Sequence, residues 1–168
     1  MGSASHSAIR ECLLDVLDRR DRTSLATLVS TREDLAAVCV DEIRTTAVLT
    51  HRNLIALALS DSHVPGAANA ILSALERDEF DDQTGTLLHA LNGLGEKLPA
   101  ETAVRLIERG SYEAHMELAD LFECDRISYT KRFGKAETVQ ALEALIANES
   151  DEVARCATEV MEILTVYE

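Results

Sequence analysis

Apolar residues recur every three or four positions along most of this chain, the spacing that lays one face of an α-helix against a core. The clearest stretch is 141–164, ALEALIANESDEVARCATEVMEIL. Val139, Leu142, Leu145 and Ile146 mark the inner side of a first helix, and Asn148 with Glu149 makes a turn. Ser150 offers an N-cap oxygen, with Asp151 and Glu152 in the electropositive first turn. Val153, Ala157, Val160, Met161 and Leu164 then form the inner face of a second helix. The expected unit is a helical hairpin, apolar on the inside of both arms.

The same alternation divides the rest of the chain. Residues 7–20 read as a helix carrying Ile9, Leu13, Leu14, Val16 and Leu17, and the charged corner RRDR follows. Leu25, Leu28 and Val29 make a short arm. Two overlapping capping boxes, Ser30-x-x-Glu33 and Thr31-x-x-Asp34, predict the start of the next helix, with Leu35, Val38, Cys39 and Ile43 inward. Residues 44–50 connect to an arm over 54–59. Asp61 or Ser62 is expected to cap the following helix, with Pro65 in its first turn and Val64, Ala68, Ile71, Leu72 and Leu75 inward. An acidic corner, 78–82, precedes a helix over 86–94 that Gly93 and Gly95 stop. Pro99 opens a helix with Val104, Leu106 and Ile107, and Gly110 closes it. Ser111 begins SYEAHMELADLFE, with Ala114, Leu118, Leu121 and Phe122 inward. The longest non-periodic segment is 124–135.

Four segments line up: LATLVSTREDLAAVCVDEI, LIALALSDSHVPGAANAILSAL, AVRLIERGSYEAHMELADLF and ALEALIANESDEVARCATEVMEIL. Each has a leucine-rich arm, a polar turn, and then a pair four places apart: Leu35/Cys39, Val64/Ala68, Ala114/Leu118 and Val153/Ala157. The first members are 29, 50 and 39 residues apart, and the long interval holds the extra helix over 86–94. Self-similarity near 40 residues with two helices per unit is the mark of an α-solenoid. On these residues the chain resembles HEAT-like repeats, most closely in SDEVARCATEVMEIL. In the second segment Gly66 stands where the family often has arginine. The resemblance implies one all-α domain over 1–168, a short right-handed α-solenoid of about eight to ten helices in a single pair of layers. Residues 1–6 read as disordered or as a remnant of cloning.

Composition narrows the function. Sixteen basic residues stand against thirty acidic ones, a net charge of −14, and residues 111–168 carry five basic and thirteen acidic side chains. Such a field repels nucleic-acid phosphates and anionic lipids and attracts basic proteins, so neither nucleic acid nor membrane is an expected partner. No apolar run is long enough to span a bilayer and no secretory signal is visible, which places the chain in the cytoplasm. Cys12, Cys39, Cys124 and Cys156 lack paired spacing and read as buried, reduced thiols.

The motifs of common chemistry are missing. There is no phosphate-binding loop, no G-x-S-x-G and no H-x-x-x-H, and the corner 78–82 lacks the glycine and glutamate of a calcium loop. No metal or cofactor is expected. His89, among Leu87, Leu88 and Leu91, reads as a hydrogen-bonded packing residue. The cationic stretch CDRISYTKRFGK is expected to neutralise nearby acidic helices. Carboxylates are the remaining candidates: Glu113, Glu117 and Asp120 share one helix face, and Glu152, Arg155 and Glu159 line another with Glu162. Either set is a solvated face, a partner-binding stripe on the concave side of a solenoid, or an acid–base pair. The expected function is an acidic interaction module that binds and neutralises a basic protein, as a bacterial toxin immunity protein does. The alternatives are a HEAT-like enzyme of lyase or base-excision type, or a structural oligomerising unit.

Overall fold

The computed structural model describes residues 6–77, 83–148 and 150–166, and these are almost entirely helical. Residues 1–5, the acidic corner at 78–82 and Glu149 of the predicted turn lie outside the described residues, whereas His6, expected to belong to the disordered or cloning-derived stretch, begins the first helix. The chain divides into two units, Met1–Ala74 and Leu75–Glu168.

The first unit holds α1 (His6–Asp18), α2 (Arg22–Thr31), α3 (Glu33–Thr45) and α4 (Leu49–Asp61), followed by most of α5 (Ala67–Leu75). Every pair among α1–α4 is in contact. Leu13, Leu17, Leu25, Leu35, Ile43, Ile55 and Leu59 are fully buried there, each stabilising the fold by roughly 1.5–3 kcal/mol. Polar ties join the helices at their rims. Arg10 donates to both carboxylate oxygens of Glu42 (3.0 and 3.2 Å), and Arg22 to both of Asp61 (3.0 and 2.9 Å).

The capping boxes locate α3 but do not cap it. Ser30 and Thr31 still belong to the last turn of α2, and their hydroxyls donate back to the Thr27 carbonyl (2.9 and 2.8 Å). Arg32, in an extended conformation, is the N-cap and makes no side-chain cap bond. Pro65 also differs from expectation. Asp61 ends α4 and Ser62 caps it, so Pro65 falls in the turn and α5 begins at Ala67. Ile71 and Leu75 face inward as expected, but Ala67, Ala70 and Ala74 take the places expected of Val64, Ala68 and Leu72. Ala67, Ala70, Ile71, Ala74 and Leu75 are buried, whereas Val64, Ala68 and Leu72 are half-buried.

One cap went unread in the sequence. Asp21 accepts the Ser24 backbone N–H at 3.0 Å at the start of α2, and that residue's hydroxyl and amide hold the Asp21 carboxyl below its usual 3.8. A depressed carboxylate pKa stabilises the fold above its unfolded value, and that contribution disappears as pH falls through the folded one. Wild type is therefore expected to exceed Asp21→Asn in stability at pH 6 and to lose that advantage below pH 3.8. Urea midpoints across this range check it, and a pH-independent difference would remove the charge from the explanation.

The second unit contains α6 (Gly85–Gly93), β1 (Leu98–Pro99), α7 (Ala100–Arg109), α8 (Tyr112–Glu123), β2 (Ile127–Ser128), α9 (Lys135–Asn148) and α10 (Asp151–Val166). Hairpin α7–α8 packs on hairpin α9–α10, α7 against α9 and α8 against α10, while α6 lies along α8. Strands β1 and β2 form a two-residue parallel bridge, Leu98 with Ile127 and Pro99 with Ser128. Arg126 donates to the Gly95 carbonyl and so fastens the segment after α8. Lys131 and Arg132 are exposed and form no ion pair among the described residues. Lys135, in the same segment, is engaged by another protein group.

In the terminal hairpin Val153, Ala157, Val160 and Leu164 are buried and Met161 is half-buried. On α9 the inner face is Thr138, Leu142 and Leu145, while Val139 is half-buried and Ile146 is exposed. Thr138 can be buried because its hydroxyl donates to the Gly134 carbonyl at 2.9 Å.

Candidate functional site

Helix α8 carries the first acidic stripe, and its start is set by local chemistry. Ser111 accepts the Ala114 N–H, and the preceding Gly110 leaves no Cβ to press on the Leu106 carbonyl. This register buries Ala114, His115, Leu118, Leu121 and Phe122. Tyr112, Glu113, Met116 and Asp120 are left facing solvent.

Along one edge α8 meets α6. Gly85 lies so close that a Cβ there would come within 3.0 Å of the Glu113 Cβ. Glu117 turns to the same side, where its carboxylate sits 3.2 Å from His89 Nδ1. Glu117 is therefore an engaged group rather than a free one. His89 is hydrogen-bonded, as expected, but its side chain is 63 % exposed and is not a packing residue. Glu113 and Asp120 remain exposed, with no ion pair among the described residues.

Along its other edge α8 meets α10, and a cleft of about 130 Å³ opens between them. Tyr112, His115 and Met116 face Glu152, Arg155 and Glu159 across it, with Cys156 beneath. Tyr112 is 56 % and Met116 50 % exposed, unusual for large apolar side chains in this molecule. Arg155 makes no ion pair with Glu152 or Glu159, although three- and four-residue spacings permit one. His115 is buried, and its Nε2–H donates to the Ile107 carbonyl at 2.9 Å. Nδ1, the other ring nitrogen, has no hydrogen-bond partner among the described residues.

The two predicted sets therefore lie on neighbouring helices with an apolar strip between them. Glu113 and Asp120 are on one side of Tyr112–Met116, and Glu152 and Glu159 are on the other. The sequence shows Tyr112 and Met116 four residues apart on the exposed side of α8. It does not show that α10 is their neighbour.

Burial, followed by the nearby Glu159, pushes the Cys156 thiol up to about 12, so it stays protonated and unreactive. Burial and Glu42 do the same to Cys39, also about 12. Glu152 and Glu159 are open to water, unlike the buried partner that separates an acid–base pair. No group of histidine, cysteine, aspartate and glutamate among the described residues is placed to hold a metal.

All four cysteines are free, but they are not all buried. Cys39 and Cys156 are, Cys12 is half-buried, and Cys124 is exposed at the end of α8. A thiol reagent such as dithionitrobenzoate is expected to label Cys124 first and to reach Cys39 and Cys156 only on unfolding. Cys124→Ser should abolish the fast phase, and its persistence would place another thiol at the surface.

A second hollow, about 390 Å³, is walled by Phe122, Ile127, Tyr129, Ile163 and Leu164. Two of its charged groups are engaged, Asp125 by Lys97 at 3.5 Å and Lys135 by another protein group, while Glu123 is exposed. In the α8–α10 cleft Glu152 and Glu159, two of the predicted residues, converge with Arg155.

No model of a known protein family matches the chain, and neither a curated protein nor a solved structure does. No described helix is long and apolar enough to cross a membrane.

Proposed function

We propose that this protein is an α-helical interaction module that docks a basic protein partner on the face formed by α8 and α10. One observation carries the reading: the exposed Tyr112–Met116 strip lies between unpaired carboxylates, Glu113 and Asp120 on one side and Glu152 and Glu159 on the other. Interface centres favour aromatic residues and methionine, and charge at the rim selects and steers the partner. The net charge of −14 adds a long-range pull on a cationic protein.

Neutralisation of a basic toxin, in the manner of an immunity protein, is the biological role such a surface suits. Four free cysteines fit a reducing compartment such as the cytoplasm. The layered packing of α7 on α9 and α8 on α10 supports the HEAT-like reading for the second unit, with α8 and α10 lining the binding side of a short right-handed solenoid.

The test is affinity capture from the native host with two baits. One is wild type, and the other carries lysine at Glu113, Asp120, Glu152 and Glu159. A basic protein held by the first and lost from the second is the expected result. Identical captures would reduce the stripes to solvated helix faces.

A further inference from the structure

We propose that the cleft between α8 and α10 is a receptor for one long basic side chain of the partner, an arginine. This rests on the docking reading above and adds what the face recognises at its centre. Size is the first argument. At about 130 Å³ the cleft falls well below the roughly 300–1,000 Å³ of small-molecule sites. It suits a single side chain.

The lining specifies which one. Tyr112 presents an exposed aromatic ring and Met116 a flexible thioether, surfaces that accept the flat face of a guanidinium and its aliphatic stem. Glu152 and Glu159 are seven residues apart on α10, roughly 10 Å along its axis, so they flank the cleft from both ends. His115 adds a polar ring nitrogen at its floor, because Nε2 is committed to the Ile107 carbonyl and Nδ1 has no hydrogen-bond partner among the described residues. Carboxylate acceptors spread along a short slot match the several N–H donors of arginine better than the compact ammonium of lysine.

Arg155 gives the proposal a sign. It stands between Glu152 and Glu159 without pairing to either, so its charge opposes an incoming cation. It would instead attract a carboxylate. Removing it should therefore strengthen arginine binding, whereas a cleft built for an acidic side chain would lose affinity.

The probe is a capped pentapeptide with arginine at its centre and uncharged neighbours, compared with its lysine and citrulline counterparts by chemical-shift titration of the full chain. Arginine should bind best, lysine less well, and citrulline, which keeps the shape without the charge, least. Tyr112→Ala should weaken the arginine peptide about two- to five-fold, with Tyr112→Phe restoring most of the loss. Glu159→Gln should weaken binding and Arg155→Ala should tighten it. Tyr112, Glu159 and Arg155 are all solvent-exposed, so these variants should fold.

Equal binding of citrulline and arginine, or weaker binding in Arg155→Ala, would overturn the proposal. A nona-arginine peptide separates this failure from that of the docking reading. If it perturbs the Glu113–Asp120 side but is indifferent to Tyr112→Ala, the docking face stands and the arginine receptor falls. If neither peptide perturbs α8 or α10, both fall.

Discussion

Replacing Ala157 with aspartate is expected to remove most of the stability of this protein. Ala157 lies on the inner side of α10 with no solvent exposure, between the buried Val153 and Val160. A carboxylate there would have to ionise in an apolar setting or be held protonated, and it would also overfill a packed site. An unpaired buried charge costs several kcal/mol, and domains are stable by only roughly 5–15 kcal/mol. The loss is thus comparable to the whole margin. Thr158→Asp, one residue along and exposed, is the control and should change little. Urea unfolding followed by far-UV circular dichroism reads both variants. An Ala157→Asp protein as stable as wild type would mean that the packing of α10 against α8 and α9 is wrongly drawn.

The second large effect is on association. Lysine at Glu113, Asp120, Glu152 and Glu159 inverts the field where the partner would arrive, and all four positions are exposed, so the core is untouched. Electrostatic steering changes on-rates by roughly 10- to 1,000-fold, and a reversal should fall within that range at 50 mM salt. The screening length is about 10 Å at 0.1 M salt and shrinks to about 3 Å at 1 M, so most of the difference should vanish at high salt. Surface-plasmon kinetics with the captured partner measure this directly. A reversed variant that associates as fast as wild type at low salt would leave the acidic face without a role in recognition.

Much of the fold is legible in local pattern because its causes are local. Helix α8 begins where Ser111 caps it, and α10 buries the residues its periodicity selects. The misreadings occur where local chemistry allows two solutions. Ser30 and Thr31 are good caps, but a hydroxyl in a last turn can also donate to the carbonyl four residues back, and here it does. Pro65 suits a first helical position equally as well as a turn. Thr138 looks polar, yet its bond to Gly134 satisfies the hydroxyl and lets it be buried, while its apolar neighbour Val139 is only half-buried. The β1–β2 bridge joins residues 98 and 127 through two residues each, too few to leave a periodic trace.

The site divides in the same way. Its carboxylates were visible because helical spacing alone groups them, whereas the Tyr112–Met116 strip gains meaning only once α10 lies beside α8. Glu117 shows the opposite case: it shares the stripe by spacing, but the neighbouring α6 places His89 3.2 Å from its carboxylate, a contact that spacing on α8 does not reveal.

The methionines offer the most direct measurement of the central claim. The chain has three, Met1, Met116 and Met161, so selective ¹³C-methyl labelling gives a spectrum with one reporter in the cleft. Met116 is half exposed between the two acidic flanks, while Met161 packs on α10 away from the opening. When the captured partner is added, the Met116 methyl signal should shift or broaden in proportion to complex formed, and the Met161 signal should hold its position. A complex that forms while Met116 stays unperturbed would contradict the assignment of α8 and α10 as the docking face.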